Sequence, residues 1–291
     1  MRLDVLQGSL QEVEADTLVV NLFEGVKEPG GATSALDRAL DGAVRDLIDG
    51  GDFTGKLGET AVLYTRGLIP ARRVVLAGLG VQDDLDLEAV RRAAAAASRQ
   101  ARDLNAHHLA TIVHGAGAGG LDLHDAAQAT VEGTLLGVYR YFAPRKDRES
   151  SEMLELDALT VVEYDESRIE AIEAGARLAE AVVLGVILAR NLVNMPPNVA
   201  TPTQLAEVAR DIAESHGMQV TIGDREWASE RRMGAFLAVA RGAGEPPKFI
   251  ILEHNTGRED QGTIVLVGKG ITFDTGGISL KPRAVSYTHL T

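Results

Sequence analysis

Residues 73–114 read RVVLAGLGVQDDLDLEAVRRAAAAASRQARDLNAHHLATIVH, and this stretch decides the fold class. It opens with a short β-branched and apolar run at 73–77 and closes with another at 109–114. Between them, residues 87–104 put apolar and small side chains on one helical face and charge on the other, the pattern of a helix covering a sheet. Working outward, 17–22 and 61–64 are further strand-like runs, and 123–142 predicts a second covering helix. This alternation predicts an α/β domain with a largely parallel or mixed sheet.

Residues 143–155, APRKDRESSEMLE, are charged, contain serine and lack a sustained apolar period, so the domain boundary is expected there, with residues 1–150 forming the N-terminal α/β domain. Beyond it, 159–162 predicts a strand and 166–193 one long helix with apolar positions Ile169, Ile172, Ala176, Leu184 and Leu188. The segment NMPPN at 194–198 ends that helix, because proline removes a donor and restricts the residue before it. Thr201 and Pro202 form an N-cap and first-turn pair for a helix through Leu205, Val208 and Ile212, stopped by Gly217. A strand is expected at 218–223, a helix at 226–240, and strands at 248–254 and 263–270, again with helices on both faces of a sheet.

Composition narrows the function. The 291 residues, 45% hydrophobic and 24% charged, suit a soluble globular chain of two domains. A net charge of −13 disfavours phosphate backbones and anionic lipid as general partners, although a local basic patch is compatible with it. With no cysteine, disulfides, thiolate metal sites and cysteine nucleophiles are excluded. The first twenty residues alternate charge and apolar character rather than forming a secretory signal. The longest apolar run, 181–189, is far short of the roughly 20 residues that cross a bilayer. A cytoplasmic location without membrane attachment is expected.

The chemistry concentrates in 262–282, GTIVLVGKGITFDTGGISLKP. A buried strand at 264–267 is expected to deliver Lys269 and Asp274 to its C-terminal end, where sites in open α/β sheets form. Gly268, Gly270, Gly276 and Gly277 let the backbone fold tightly around a small ligand or ion. On residues alone, a surface turn or ion pair and a metal or catalytic site both fit. A phosphate loop fits poorly, since Lys269 has glycine on both sides and no hydroxyl after it.

The run VGKGITFDTGGISLKP resembles the metal-binding segment of the leucyl (cytosol) aminopeptidases, dinuclear metallopeptidases that remove N-terminal residues from peptides. NLVNMPPNVATPTQLAEVAR and EGTLLGVYRYFAPRK resemble two further landmarks of that family, so the likeness extends to about Arg283. The resemblance implies a macro-like N-terminal α/β domain, then an incomplete α/β catalytic domain over 151–283 with a central mixed sheet flanked by helices. It implies that Lys269 ligates one metal, that Asp274 bridges two, and that Lys281 is the catalytic lysine, stabilising the oxyanion that grows on the peptide carbonyl. A ligating lysine must lose its proton, which nearby cations and partial desolvation favour. The implied cofactors are two divalent ions, Mn2+, Zn2+ or Mg2+; the implied partners are peptides with a free N-terminus and, at full length, further copies of the chain in a homohexamer.

The family's later motifs, a further aspartate and an Asp-Ala-Glu-Gly-Arg run, do not occur in this sequence. After Arg283 the chain reads AVSYTHLT, which departs from the family pattern and resembles translated adapter sequence. The expectation is a truncated, inactive chain whose residues 284–291 are non-native. A rival from another class is a non-catalytic nucleotide-binding or assembly module built on the first half, since Gly115, Gly117 and Gly120 make a Gly-x-Gly-x-x-Gly match between a strand and a helix. That match lacks an acidic strand end about 20 residues on and reads as a simple loop. His107, His108, His114 and His124 lack metal-ligand spacing and read as solvated or structural, Trp227 as core or interface, and the pairs Arg72 and Arg73, Arg91 and Arg92, and Arg231 and Arg232 as solvated edges.

Overall fold

The computed structural model describes residues 1–141, 156–255, 257–258, 260 and 262–273. They divide between two compact units, Met1–Arg190 and Asn191–Thr291.

In the first unit, β-branched and leucine-rich runs form the strands, and helices follow from the amphipathic stretches between them. In chain order these are β1 (Arg2–Gln7), β2 (Thr17–Leu22), α1 (Gly31–Ala39), α2 (Ala43–Gly50), β3 (Thr60–Tyr64), β4 (Arg73–Gly78), α3 (Leu87–Asp103), β5 (His108–Thr111), α4 (Leu123–Val138), β6 (Ala158–Glu163) and α5 (Ile169–Asn194). The strands make one sheet in the order β1-β6-β5-β2-β4-β3, parallel throughout except for the antiparallel edge strand β3. The mixed sheet expected from the sequence is therefore present. β6 lies between β1 and β5, so this sheet is completed by residues after the 143–155 stretch, which itself lies outside the described residues.

Period-2 alternation sends side chains to two cores. Val19, Val75, Ala77, Leu109, Leu159 and Val161 face α3, α4 and α5, while Leu18, Val20, Leu22, Val74, Leu76 and Val162 face α1, α2 and Phe53. Burial on both faces explains why β2 and β4 read as near-continuous apolar runs. The α3 helix starts where the Asp86 carboxylate accepts the Ala89 N–H at 2.7 Å, a side-chain cap. Its alanines Ala93, Ala97 and Ala101 are buried, and small residues on both helices bring α3 and α4 close. A Cβ on Gly133 would lie 2.4 Å from the Arg91 carbonyl oxygen.

Differences from the sequence reading have local causes. The strand expected at 109–114 ends at Thr111, because the chain turns there into the loop that carries His114. The long helix expected from Glu166 begins as a 3-10 turn, Glu166–Arg168, with the Asp165 carboxylate accepting the Ser167 N–H. Arg73, read as a solvated edge, is buried, and its guanidinium donates to the Leu104 carbonyl.

The second unit contains α6 (Pro202–His216), β7 (Gln219–Gly223), α7 (Arg225–Glu230), α8 (Gly234–Val239) and β8 (Phe249–Glu253). The Thr201 hydroxyl accepts the Gln204 N–H, and Gly217 at φ 62° closes α6 in the left-handed region. β7 and β8 pair antiparallel. The single helix expected at 226–240 is two short helices, broken where Arg232 adopts φ 54°.

The α3–α4 contact is testable. Gly133→Ala should destabilise the chain by about 1–3 kcal/mol through overpacking, whereas Gly185→Ala, at an exposed α5 position with open space around it, should be neutral or stabilise by up to about 1 kcal/mol. Thermal denaturation of both variants measures the difference, and an equal shift would contradict the packing described.

Candidate functional site

An aromatic cluster holds α7, α8 and the β7–β8 pair of the second unit together. Asp224 caps α7 by accepting the Trp227 N–H at 2.9 Å, and that bond is the main reason its carboxyl is held below the usual range. Trp227 then covers Gly223, where a Cβ would meet the indole at 2.4 Å, and stacks on Phe249 with centroids 5.5 Å apart. Phe236 meets Phe249 edge-on at 5.7 Å, and the Arg231 guanidinium lies 3.9 Å from the indole centroid. Trp227 is thus a packing residue, as its sequence context suggested, and Arg231, exposed as expected of a solvated edge, also stacks on the indole.

The expected strand at 264–267 does not form. Residues 262–271 have no regular secondary structure, and Ile264, Val265, Leu266 and Val267 are 86%, 74%, 92% and 93% exposed. The physical reason is the absence of a partner: a strand is held by its neighbours' N–H and C=O groups, and among the described residues β8 pairs only with β7. Lys269 is consequently exposed. Asp274 and Lys281, with Gly276 and Gly277, lie outside the described residues, as do the expected non-native residues 284–291.

Donor chemistry in 269–281, an amine, a carboxylate and a second amine, suits a divalent ion beside a polarised carbonyl. The described residues do not by themselves close such a site. Among them, the one grouping of three carboxylate or imidazole donors close enough to share an ion is Asp122, His124 and Asp125, at the start of α4. Those groups serve the helix end: Asp122 accepts the Asp125 N–H at 3.1 Å, and His124 Nδ1 lies 3.0 Å from Asp125.

In the first unit, the glycine-rich loop follows β5 as expected. Gly115 and Gly120 have φ of 83° and 68°, and a Cβ on Gly119 would lie 2.3 Å from Leu85. The Gln82 amide donates to the Ala118 carbonyl at 2.7 Å and fastens the loop. Sequence reasoning missed that this loop is anchored by a buried polar pair. The Asn21 amide, at the end of β2, donates to His114 Nδ1 at 2.6 Å, which leaves the imidazole proton on Nε2, 3.3 Å from the Thr111 hydroxyl. His114 is fully enclosed, and burial pushes its pKa down to about 4. Of the other histidines read as solvated or structural, His107 is exposed and meets Asp157 at 3.1 Å, and the half-buried His108 meets the Thr160 hydroxyl at 2.9 Å.

Two family models match the chain. One, described as "Cytosol aminopeptidase family, N-terminal domain", covers residues 19–147, and the other, "Cytosol aminopeptidase family, catalytic domain", covers 187–288. A protein of Alkaliphilus oremlandii named "Probable cytosol aminopeptidase" is 38% identical over 98% of this chain and 56% of its own length. The "Cytosol aminopeptidase" of Pseudomonas aeruginosa is 38% identical over 94% of this chain and 54% of its own length. The chain therefore spans about half the length of the curated relatives it matches. Among solved structures, a mutant of tomato leucine aminopeptidase superposes with a TM-score of 0.70 at 28% identity, covering 87% of this chain and 50% of that one. The bottromycin maturation enzyme BotP in complex with Mn gives 0.61 at 26% identity, over 82% of this chain and 45% of that one. A stand-alone binding module leaves the catalytic-domain match unexplained.

The burial of His114 makes the first unit acid-sensitive. Its pKa is lowered on folding, so the unfolded chain binds the proton more tightly; the associated stability is complete above pH 6.5 and is lost as the pH falls from 6.5 towards 4. The loss should reach roughly 3 kcal/mol. Denaturant midpoints measured between about pH 4.5 and 7.5 should fall with acid in the wild type and much less in His114→Gln. Parallel slopes would contradict the assignment.

Proposed function

Because the chain belongs to the cytosol aminopeptidase family, we propose that it is the first part of a metal-dependent aminopeptidase that releases N-terminal residues, leucine and other mostly apolar ones, from peptides. The observation that carries this reading is the segment 262–282, which lies within the catalytic-domain match and sets Lys269, Asp274 and Lys281 in a glycine-rich stretch of sequence.

In this reading, Lys269 and Asp274 hold a pair of divalent ions, manganese, zinc or magnesium. When bound, such ions polarise a carbonyl and acidify a water molecule. Manganese has the support of the BotP complex, which contains it. The chain's own residues supply the rest. Asp274 offers two anionic oxygens and so can bridge two cations. Lys269 contributes an amine, which binds a cation only after losing its proton. Lys281 stays an ammonium and donates to the peptide carbonyl oxygen, countering the negative charge that develops there during attack. The bound ions would also attract the substrate's free α-amine, which would account for a preference for a free N-terminus. The cytoplasm and a homohexamer fit the family name and the resemblance, and no helix among the described residues is long and apolar enough to cross a membrane.

The 291-residue chain alone should be inactive. Among the described residues, 264–267 lie exposed and pair with no strand, and affinity for hard cations depends on ligand number and geometry. We expect no measurable hydrolysis of Leu-p-nitroanilide by the pure chain with added Mn2+ or Zn2+; clear turnover would overturn this. The full-length enzyme carrying this segment should hydrolyse the same substrate, and Asp274→Ala or Lys281→Ala should lower kcat at least 100-fold, about 2.7 kcal/mol. Unchanged kinetics would exclude the roles assigned.

A further inference from the structure

The chain has 42 acidic residues and a net charge of −13, yet from residue 60 to 82 it carries no Asp or Glu and three arginines. Arg73 is buried, but Arg66 and Arg72 are exposed on the loop between β3 and β4, and neither is in an ion pair among the described residues. This loop is pre-shaped. The buried Thr65 hydroxyl donates to the Ala71 carbonyl at 2.6 Å, its N–H donates to the Arg72 carbonyl at 3.2 Å, and Ile69 and Ala71 are buried beneath. Arg66 at φ 53° and Gly67 at φ 85° turn the chain sharply. Together with Tyr64, 56% exposed, the two arginines border a depression of about 300 Å3.

That depression continues into an open sheet edge. Among the described residues, β3 is the last strand of its sheet and pairs only with β4. The bonds from Thr65 N–H to the Arg72 carbonyl and from Gly78 N–H to the Glu59 carbonyl set the parity of this antiparallel ladder. Ala61 and Leu63 accordingly bond towards β4, while Thr60, Val62 and Tyr64 direct their backbone groups away from the sheet.

We propose that the β3 edge and the adjoining arginine-bordered depression form a docking site for an extended acidic peptide segment of a partner protein. The segment would add as a strand along Thr60, Val62 and Tyr64, and its carboxylates would meet Arg66 and Arg72, a combination of backbone pairing and charge recognition. A polynucleotide has no backbone groups for the strand edge and is repelled by the rest of the chain. The proposal is independent of the aminopeptidase reading.

Fluorescence anisotropy of the 291-residue chain with a labelled peptide of alternating Glu and Val tests it, with a Lys and Val peptide and an oligothymidylate as comparisons. The acidic peptide should bind saturably at low salt, at least tenfold more tightly than either comparison, and release as salt rises to about 0.5 M. Arg66→Glu with Arg72→Glu should weaken it at least tenfold. Val62→Pro, which removes an outward N–H and leaves the ladder to β4 intact, should weaken it comparably. A thermal melt close to wild type shows that each variant folds. Absence of saturable binding, tighter binding of the oligonucleotide, unchanged affinity in the arginine variant, or full affinity in Val62→Pro would each overturn the proposal.

Discussion

Pairing of β2 with β4 on one side and β5 on the other is the contact on which the first unit rests. It holds Thr17 to Arg73 and to Leu109 in a fixed register, and that register assigns every side chain of β2 to one of two cores. A slip of one residue would move Leu18, Val20 and Leu22 to the face covered by α3, α4 and α5 and bring Val19 against α1. The helices are consequences of this ladder, because each apolar stripe is buried only where the sheet presents the matching face. Even the glycine-rich loop depends on it: Asn21 at the end of β2 reaches His114 after β5 only because the two strands lie side by side.

The same requirement explains the second unit from the opposite direction. Ile264 to Val267 has the composition of a buried strand, and composition alone does not make one. Among the described residues no strand accepts and donates its backbone hydrogen bonds, and the run lies exposed, Lys269 with it. Sheet pairing thus connects fold to chemistry. In the reading advanced above, a lysine and an aspartate become metal ligands only when a paired strand aims the turn between them.

Much of this was legible in the sequence, for identifiable reasons. Residues 17–22 matched a strand to the residue because a doubly buried strand reads as a short, near-continuous apolar run, and α6 was bounded by Thr201, Pro202 and Gly217, whose conformational roles are local. Burial of Arg73 and the enclosed Asn21–His114 pair were not legible, since both depend on strands distant in sequence meeting in space. The break at Arg232 was hidden because a non-glycine residue in the left-handed region leaves no compositional mark. For the candidate site, the segment bearing Lys269, Asp274 and Lys281 was recognisable from its residues. Its expected strand failed because pairing is a property of the partner, which periodicity does not report.

The account stands or falls on whether Lys269 and Asp274 grip the same pair of cations. Anomalous diffraction at the manganese edge from crystals of the full-length protein grown with Mn2+ addresses this directly. The account predicts two manganese peaks, with Lys269 Nζ and an Asp274 carboxylate oxygen each roughly 2.0–2.3 Å from a metal centre. Manganese bound at other residues, with both of these side chains away from any peak, would contradict it.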